Sequence, residues 1–353
     1  MKSNVYFAET KAKDIDGRIA SLESVINASE AFDDYKSGEI IPVKITIGDS
    51  SCVFNIQPEM AKAVVTRIKQ RKAKPFLFDT SVIYKGSRQN AVDHMTLAQC
   101  KGFSQSKTGA PFIVADGVFG RDGIELPTNG AFIKKVKVPS FVGLVSNMVV
   151  ISHATGHIIS GYGGAIKNIA MGMSCRPTKQ LQHSSIKPSV IPSKCTFCGC
   201  CIKICPANAI KPVNNMANID HDLCLGCGEC LCACKFNAIK VNWGEDALVF
   251  CKRMAEVAKA VTAQFNKIFY INLVYDISKE CDCISTKNDE LFSPDVGIIG
   301  SYDPVSIDKA TSDLINKEYN AFQKANLSES YLEMLEYAEN LGMGRTNYNL
   351  IKL

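Results

Sequence analysis

Two short runs of cysteine carry the strongest chemistry in the chain. Cys195, Cys198, Cys201 and Cys205 recur 29 residues later as Cys224, Cys227, Cys230 and Cys234, and Asn208-Ala209-Ile210-Lys211 recurs as Asn237-Ala238-Ile239-Lys240. Each run has the form C-x2-C-x2-C-x3-C. A two-residue gap lets successive thiolates on a tight loop grip one cube of iron and sulfide, and the fourth cysteine, beyond a chain reversal, reaches a neighbouring cube. A pair of zinc knuckles shares the C-x2-C step. Four thiols in each of two matching runs favour iron–sulfur cubes over zinc.

The spacing makes residues 193–242 a bacterial-ferredoxin-like module carrying two [4Fe–4S] clusters. Carried over residue by residue, Cys195, Cys198, Cys201 and Cys234 hold one cluster, and Cys224, Cys227, Cys230 and Cys205 hold the other. Pro206 completes the ferredoxin signature in the first run, whereas Lys235 replaces the proline in the second. Cys200 and Cys232 fall outside the spacing and read as small buried hydrophobes. The module has five lysines against three acids, and two oxidised clusters with their thiolates bring it to about −2. Such a module need not seek a basic partner, and the rest of the chain can serve as its internal one.

A second constellation precedes the module. Ser152-His153-Ala154-Thr155-Gly156-His157 leads through Gly161, Gly163 and Gly164 to Lys167 and Asn168, and His183 follows. A strand end followed by a glycine-rich turn and a helix N-terminus is where anionic ligands settle in an open α/β sheet. On this reading His153, His157, Lys167 and His183 are catalytic candidates, and Gly161, Gly163, Gly164 and Asn168 hold a cofactor. The alternative is that the glycines serve tight packing. Further along, Cys281 and Cys283 bracket Asp282, so this step offers two soft thiolates and a carboxylate to a metal or, alternatively, forms a strand-end turn with two buried thiols.

These residues need a scaffold. At 353 residues with 46% hydrophobic content, the chain can bury a sizeable core. Apolar runs at 42–47, 75–79, 111–115, 131–138 and 147–152 alternate with helical patterns at 59–71 and 89–102, which predicts a layered α/β fold. The pattern resumes with a helix over 245–265, strands at 268–275 and 296–300, and a helix over 329–341. Asp303-Pro304 and Asp308 read as the cap and first turns of a further helix. Pro177, Pro188, Pro192 and nearby serines read as a linker. The expected organisation is an α/β host in two segments, 1–190 and 243–353, interrupted by a small α+β insertion at 191–242.

Composition narrows the partners. Forty basic residues against 35 acidic ones, with no run of like charge, leave no nucleic-acid footprint. The most apolar stretch, 141–151, is far shorter than the roughly 20 residues of a membrane helix. Sixteen cysteines behind a start without an apolar leader read as a reduced, cytoplasmic protein.

The host resembles the iron–sulfur proteins grouped as domain-of-unknown-function family number 362. The resemblance rests on His153-xxx-His157, Gly163-Gly164-Ala165-Ile166-Lys167-Asn168, Glu280-Cys281-Asp282-Cys283 and Ser301-Tyr302-Asp303-Pro304-Val305, and it spans nearly the whole chain. It implies the host-plus-ferredoxin architecture. A more distant likeness is to the nickel-pincer lactate racemases, whose site has a His, a Lys ten residues later and a His sixteen beyond that. His157, Lys167 and His183 repeat both intervals. That likeness implies that Lys167 holds a pincer-type cofactor, His183 ligates a metal and His157 moves protons, with His94 or His153 as the second histidine.

The leading expectation is therefore an oxygen-sensitive redox enzyme of anaerobic chemistry, in which two clusters exchange electrons with a small-molecule substrate or an additional metal in the host. The alternatives are a non-enzymatic electron carrier or assembly component docking a redox partner protein, and a redox-neutral racemase with structural clusters. Anaerobically purified protein is expected to hold about eight iron and about eight sulfide per chain. Zinc at about two per chain, without iron, would overturn the cluster assignment.

Overall fold

The computed structural model describes residues 2–10, 14–84, 86–183, 187–224, 230, 233, 234, 236, 238–240, 243–283, 285–317 and 320–353. Cys227 and Cys232 lie outside these residues. The host is an α/β layer fold, as its alternating pattern predicts. Eight strands form one sheet in the order Tyr348–Lys352, Ser3–Glu9, Gly297–Ser301, Lys267–Val274, Asn147–His153, Ile40–Lys44, Lys74–Asp79, Phe112–Val114. Seven run in one direction, and Gly297–Ser301 is antiparallel to both its neighbours.

Both faces of the sheet are covered, so its strands are apolar almost throughout. On Asn147–His153, Met148 and Val150 enter one hydrophobic cluster while Val149 and Ile151 enter the other. The first cluster also takes residues of the helices Ala165–Ala170, Trp243–Thr262, Pro304–Asn316 and Ser330–Asn340, and the second takes those of Ile15–Ala28 and Pro58–Gln70. In Pro58–Gln70 the buried Met60, Ala61, Val64, Val65 and Ile68 recur at helical spacing behind a proline in the first turn.

Three expectations need correction. The apolar run at 131–138 yields only Lys135–Val138, which pairs with Ile124–Pro127 in a separate ribbon. The stretch read as a linker begins with a helix, Arg176–His183, because Pro177 sits in the first turn, where its missing N–H costs nothing. Asp303 does cap Pro304–Asn316, accepting from Val305 N and Ser306 N at 2.9 Å. Asp308, however, caps another helix. Its carboxylate accepts from Ala165 N (2.8 Å), Ile166 N (2.9 Å), Tyr162 Oη (3.2 Å) and Asn272 Nδ2 (2.9 Å).

The described residues between 187 and 240 form two small ladders of their own. Ser189–Val190 pairs antiparallel with Ile239–Lys240, and Ile210–Val213 pairs with Met216–Ile219. Ile210 and Ile239, equivalent in the sequence repeat, share a small core with Cys201, Cys230 and Ala217. No helix among the described residues is long and apolar enough to cross a membrane.

Because Asp308 is fully buried and satisfies four donors at once, Asp308→Ala leaves two helix N–H groups unpaired and removes one partner each from the Tyr162 hydroxyl and the Asn272 amide. The expected loss is about 3 kcal/mol of stability. Chemical denaturation of the variant checks it, and a change within experimental error would show that these donors find other partners.

Candidate functional site

Four adjacent parallel strands, Lys267–Val274, Asn147–His153, Ile40–Lys44 and Lys74–Asp79, end on the same side of the sheet. A cavity of about 240 Å³ lies there, bounded by residues at or just past the strand ends, among them Thr46, Asp79, Thr80, Ser152 and His153. His157, Lys167, His183, Cys281, Asp282 and Cys283 line the same cavity. His157 lies nearly parallel to the ring of Phe250 at 5.8 Å, and His183 approaches the same ring at 5.0 Å. Thus His157, Lys167 and His183, spread over 27 residues of chain, share one wall.

The hydrogen bonds fix what each group can offer. His157 Nδ1 accepts from Ser160 N at 3.1 Å and Ile159 N at 3.3 Å. Its lone pair is therefore committed there, and the neutral ring carries its proton on Nε2. Burial, reinforced by Lys167 and His183, holds its pKa well below the ordinary value. His157 can donate a proton, but a lone pair for a metal is not available on the Nε2 of this tautomer. Burial also brings His183 down to about 4, so it is a neutral imidazole and a competent metal ligand.

Lys167 is buried against two sulfurs. Burial opposes its charge, but Cys281 and Cys283, with a hydrogen bond to Cys281, raise its pKa above the ordinary value. A hydrogen bond from Cys281 holds Cys283 well below the usual thiol range against the cost of burial, helped by the charges of Lys167 and Arg88 and the Tyr84 hydroxyl. Within this pair negative charge is thus favoured on Cys283, with Cys281 as the hydrogen-bond donor. Among the described residues no three metal-ligating side chains are already gathered about one point. The donor types on this wall, two sulfurs and a neutral imidazole, suit a soft or borderline metal.

His153 does different work from that expected. Its Nδ1 meets Asp282 Oδ1 at 2.9 Å and its Nε2 meets the Tyr275 carbonyl at 2.8 Å. Both partners are acceptors, so both ring nitrogens donate and the ring is an imidazolium. Despite the burial penalty, Asp282 raises its pKa. The resulting ion pair fixes Asp282, and with it the turn that presents Cys281 and Cys283. His94 does not line the cavity; it is buried behind Asp79, 3.7 Å from Oδ2.

The glycine turn is also a packing device. Gly161 has φ +82°, and a side chain there would run into the Ser328 carbonyl. A Cβ at Gly164 would strike Tyr162 Oη and Asp308, while one at Gly163 would crowd Lys167. The helix N-terminus that follows is closed by Asp308, so it is not open to an anionic ligand. Asn168 accepts from Lys44 Nζ (2.8 Å) and donates to the Ile151 carbonyl (2.9 Å) and Ser152 Oγ (3.1 Å). It ties the helix to the sheet and has no group left for a cofactor.

Sequence reasoning missed Tyr84, Arg88, Lys179 and Phe250, all in the cavity wall. Two weak signals existed: Tyr84 and Arg88 lie four residues apart, and Lys179 lies one helical turn before His183.

The family model described as "Domain of unknown function (DUF362)" matches residues 41–313. The chain belongs to this family. No curated protein matches it. Among solved structures, the lactate racemase apoprotein of Thermoanaerobacterium thermosaccharolyticum aligns with TM-score 0.41 and 9% identity over 78% of this chain. A structural-genomics protein from Thermotoga maritima aligns with TM-score 0.40 and 13% identity over 91% of it. This chain spans 51% and 58% of those chains.

Within this DUF362 chain, Cys195, Cys198, Cys201 and Cys234 line one small cavity, and the half-buried Cys200, expected to be a buried hydrophobe, lines it as well. The first four are the set that the ferredoxin spacing assigns to one cluster. Cys205 Sγ accepts from Ala209 N at 3.3 Å, and Cys234 Sγ accepts from Ala238 N at 3.3 Å. The repeat thus reproduces the same N–H···S bond at both positions. No disulfide forms among the described residues. Sulfur donors gathered from both runs are the donor set that such a cube would require.

The His153–Asp282 pair yields a pH test. A folded-state pKa raised above the free value of about 6.5 gives stability that is full below that pH and is lost as pH rises through the folded value. His153→Gln is expected to cost about 3 kcal/mol at pH 6, with the gap to wild type narrowing in alkaline buffer. Denaturation at the two pH values measures it, and a gap that widens with pH would contradict the imidazolium assignment.

Proposed function

We propose that this protein is an iron–sulfur redox enzyme in which two [4Fe–4S] clusters, held by residues 191–242, exchange electrons with a substrate or metal in the host cavity. One observation carries the reading: both chain connections of the cysteine-rich segment start from the cavity wall. The outgoing helix Arg176–His183 ends on His183, and the returning helix Trp243–Thr262 carries Phe250, with the two rings 5.0 Å apart. The six residues from His183 to Ser189 reach no more than about 22 Å even when fully extended. The cluster of Cys195, Cys198, Cys201 and Cys234 would lie over Ile239, whose strand pairs with Ser189–Val190. A tether this short keeps that cluster beside the cavity.

In this reading Cys281, Cys283 and His183 would hold the additional metal, His157 supplies a proton from Nε2, and Lys167 counters the charge of the thiolates. A bound metal would supply a redox-active or polarising centre. The clusters suit a reducing cytoplasm, with a redox partner protein as electron source. The segment acts as a unit attached to the host by two connections.

Metal and cofactor analysis of anaerobic protein tests the proposal. Wild type is expected to carry a metal or organic cofactor beyond the cluster iron, and His183→Ala to lose it while keeping about eight iron per chain. Protein with filled clusters and an empty host cavity, whose reduced clusters discharge only to external carriers, would favour the non-enzymatic electron carrier instead.

A further inference from the structure

We infer that the molecule entering the host cavity carries a carboxylate or phosphate group, and that Lys179 and Arg88 receive that oxyanion. The inference rests on the enzymatic reading of the cavity and names the class of its ligand. It begins from the pairing of charge in the wall. Asp282 is matched by His153 at 2.9 Å and Asp79 by Lys44 at 2.9 Å, while Lys167 faces the sulfurs of Cys281 and Cys283. Lys179 and Arg88 are the remaining cavity-lining cations among the described residues.

Lys179 is 5% exposed. Its ammonium donates to Thr80 Oγ1 at 2.6 Å and to the Ser81 carbonyl. Both acceptors are neutral, and among the described residues no carboxylate lies within ion-pair distance of it. Asp116 and Asp79 favour its charge from beyond ion-pair distance, and Asp116 itself accepts the N–H of Ser81 at 2.9 Å and its hydroxyl at 3.2 Å. An ammonium has three N–H donors, so one is left over. Burial brings its pKa down to about 8, which leaves it charged at neutral pH.

Arg88 is 2% exposed. Its Nε lacks a hydrogen-bond partner, and the carboxylates of Asp49 and Asp79 stand 3.7 Å away, beyond hydrogen-bond reach. Its NH2 group donates to Tyr84 Oη at 2.5 Å. The guanidinium charge is thus paired with two carboxylates, but its Nε donor is left unused in a buried wall, where donors are normally satisfied. Asp79 has one unpartnered oxygen, but its charge is already shared between Lys44 and Arg88. The alternative anion seat, the helix N-terminus at Ala165, is closed by Asp308.

Geometry adds the orientation and size. Lys179 and His183 lie four residues apart on one helix, so they project about one turn, roughly 5.4 Å, along the same face. An oxyanion at Lys179 therefore sets the rest of a short molecule against His183. The cavity's 240 Å³ is below the roughly 300–1,000 Å³ of drug-sized sites, which restricts the ligand to a small acid.

Thermal unfolding of the cluster-loaded protein at constant ionic strength tests this, using sodium acetate, inorganic phosphate, sodium chloride and acetamide as probes. A saturable rise in Tm with acetate or with phosphate, absent with chloride and acetamide, is expected, and whichever of the two acts identifies the group. Lys179→Met should abolish the rise, and Arg88→Lys should raise the half-saturating concentration at least tenfold. If Lys179→Met loses cluster iron or fails to fold, Lys179→Arg replaces it and should keep the rise with a shifted half-saturation. No saturable response to either oxyanion in wild type, or variants responding as wild type does, would overturn the inference. Because the readout is binding and needs no electron transfer, failure of the redox reading and failure of this inference give different results.

Discussion

The Asp308 carboxylate holds together the elements that define the cavity. It closes the N-terminus of Ala165–Ala170, accepts from Tyr162 in the glycine turn, and meets Asn272 on the central strand Lys267–Val274. Each of these donors is buried, so each would be expensive without it. The consequence is positional. With this helix fixed to the strand, Lys167 has one direction in which to extend, and Gly163 and Gly164 are small because Lys167, Tyr162 and Asp308 occupy the space beside them. A sequence motif that looks like a ligand loop is in fact the footing of a lysine.

The same logic separates what the sequence discloses from what it hides. Cysteine spacing is legible because a cluster's dimensions are set by inorganic chemistry, and His157, Lys167 and His183 are legible because they lie close together in the chain. Arg88, Lys179 and Phe250 are not, since arginines, lysines and phenylalanines are common and only the parallel strand order brings these three to one edge. The roles of Asn168 and His153 were hidden for another reason. Their partners, Lys44 and Asp282, lie 124 and 129 residues away, and residue type alone cannot distinguish a ligand from a strut. At the level of elements, the strand Ser3–Glu9 escaped the pattern because its apolar run, Val5 to Ala8, is short and shows no alternation. The helix Arg176–His183 escaped because a proline at a helix start resembles a proline in a loop.

The placement of the cysteine-rich segment follows from the host's topology. It enters after a helix and leaves into a helix, both packed on the face that carries the larger hydrophobic cluster. Its ends are drawn together by a two-residue ladder, so the host meets it as a closed loop. Here the junction also coincides with the cavity wall, and Phe250 touches both imidazoles.

The sheet's outer edge has a consequence for the order in which the molecule is made. Ser3–Glu9, the first strand, lies between Gly297–Ser301 and Tyr348–Lys352, so it waits for the far end of the chain before it has a neighbour. Asp303 repeats the dependence, since one of its oxygens binds Ser3 Oγ at 2.7 Å and the Arg345 amide at 2.9 Å. Pairings this distant in sequence form slowly. The described strands between Ser189 and Lys240, by contrast, pair with one another and have left the ribosome before the last strands are synthesised. Pairing within that segment can thus precede closure of the sheet, and the cavity takes its final shape around ladders already formed.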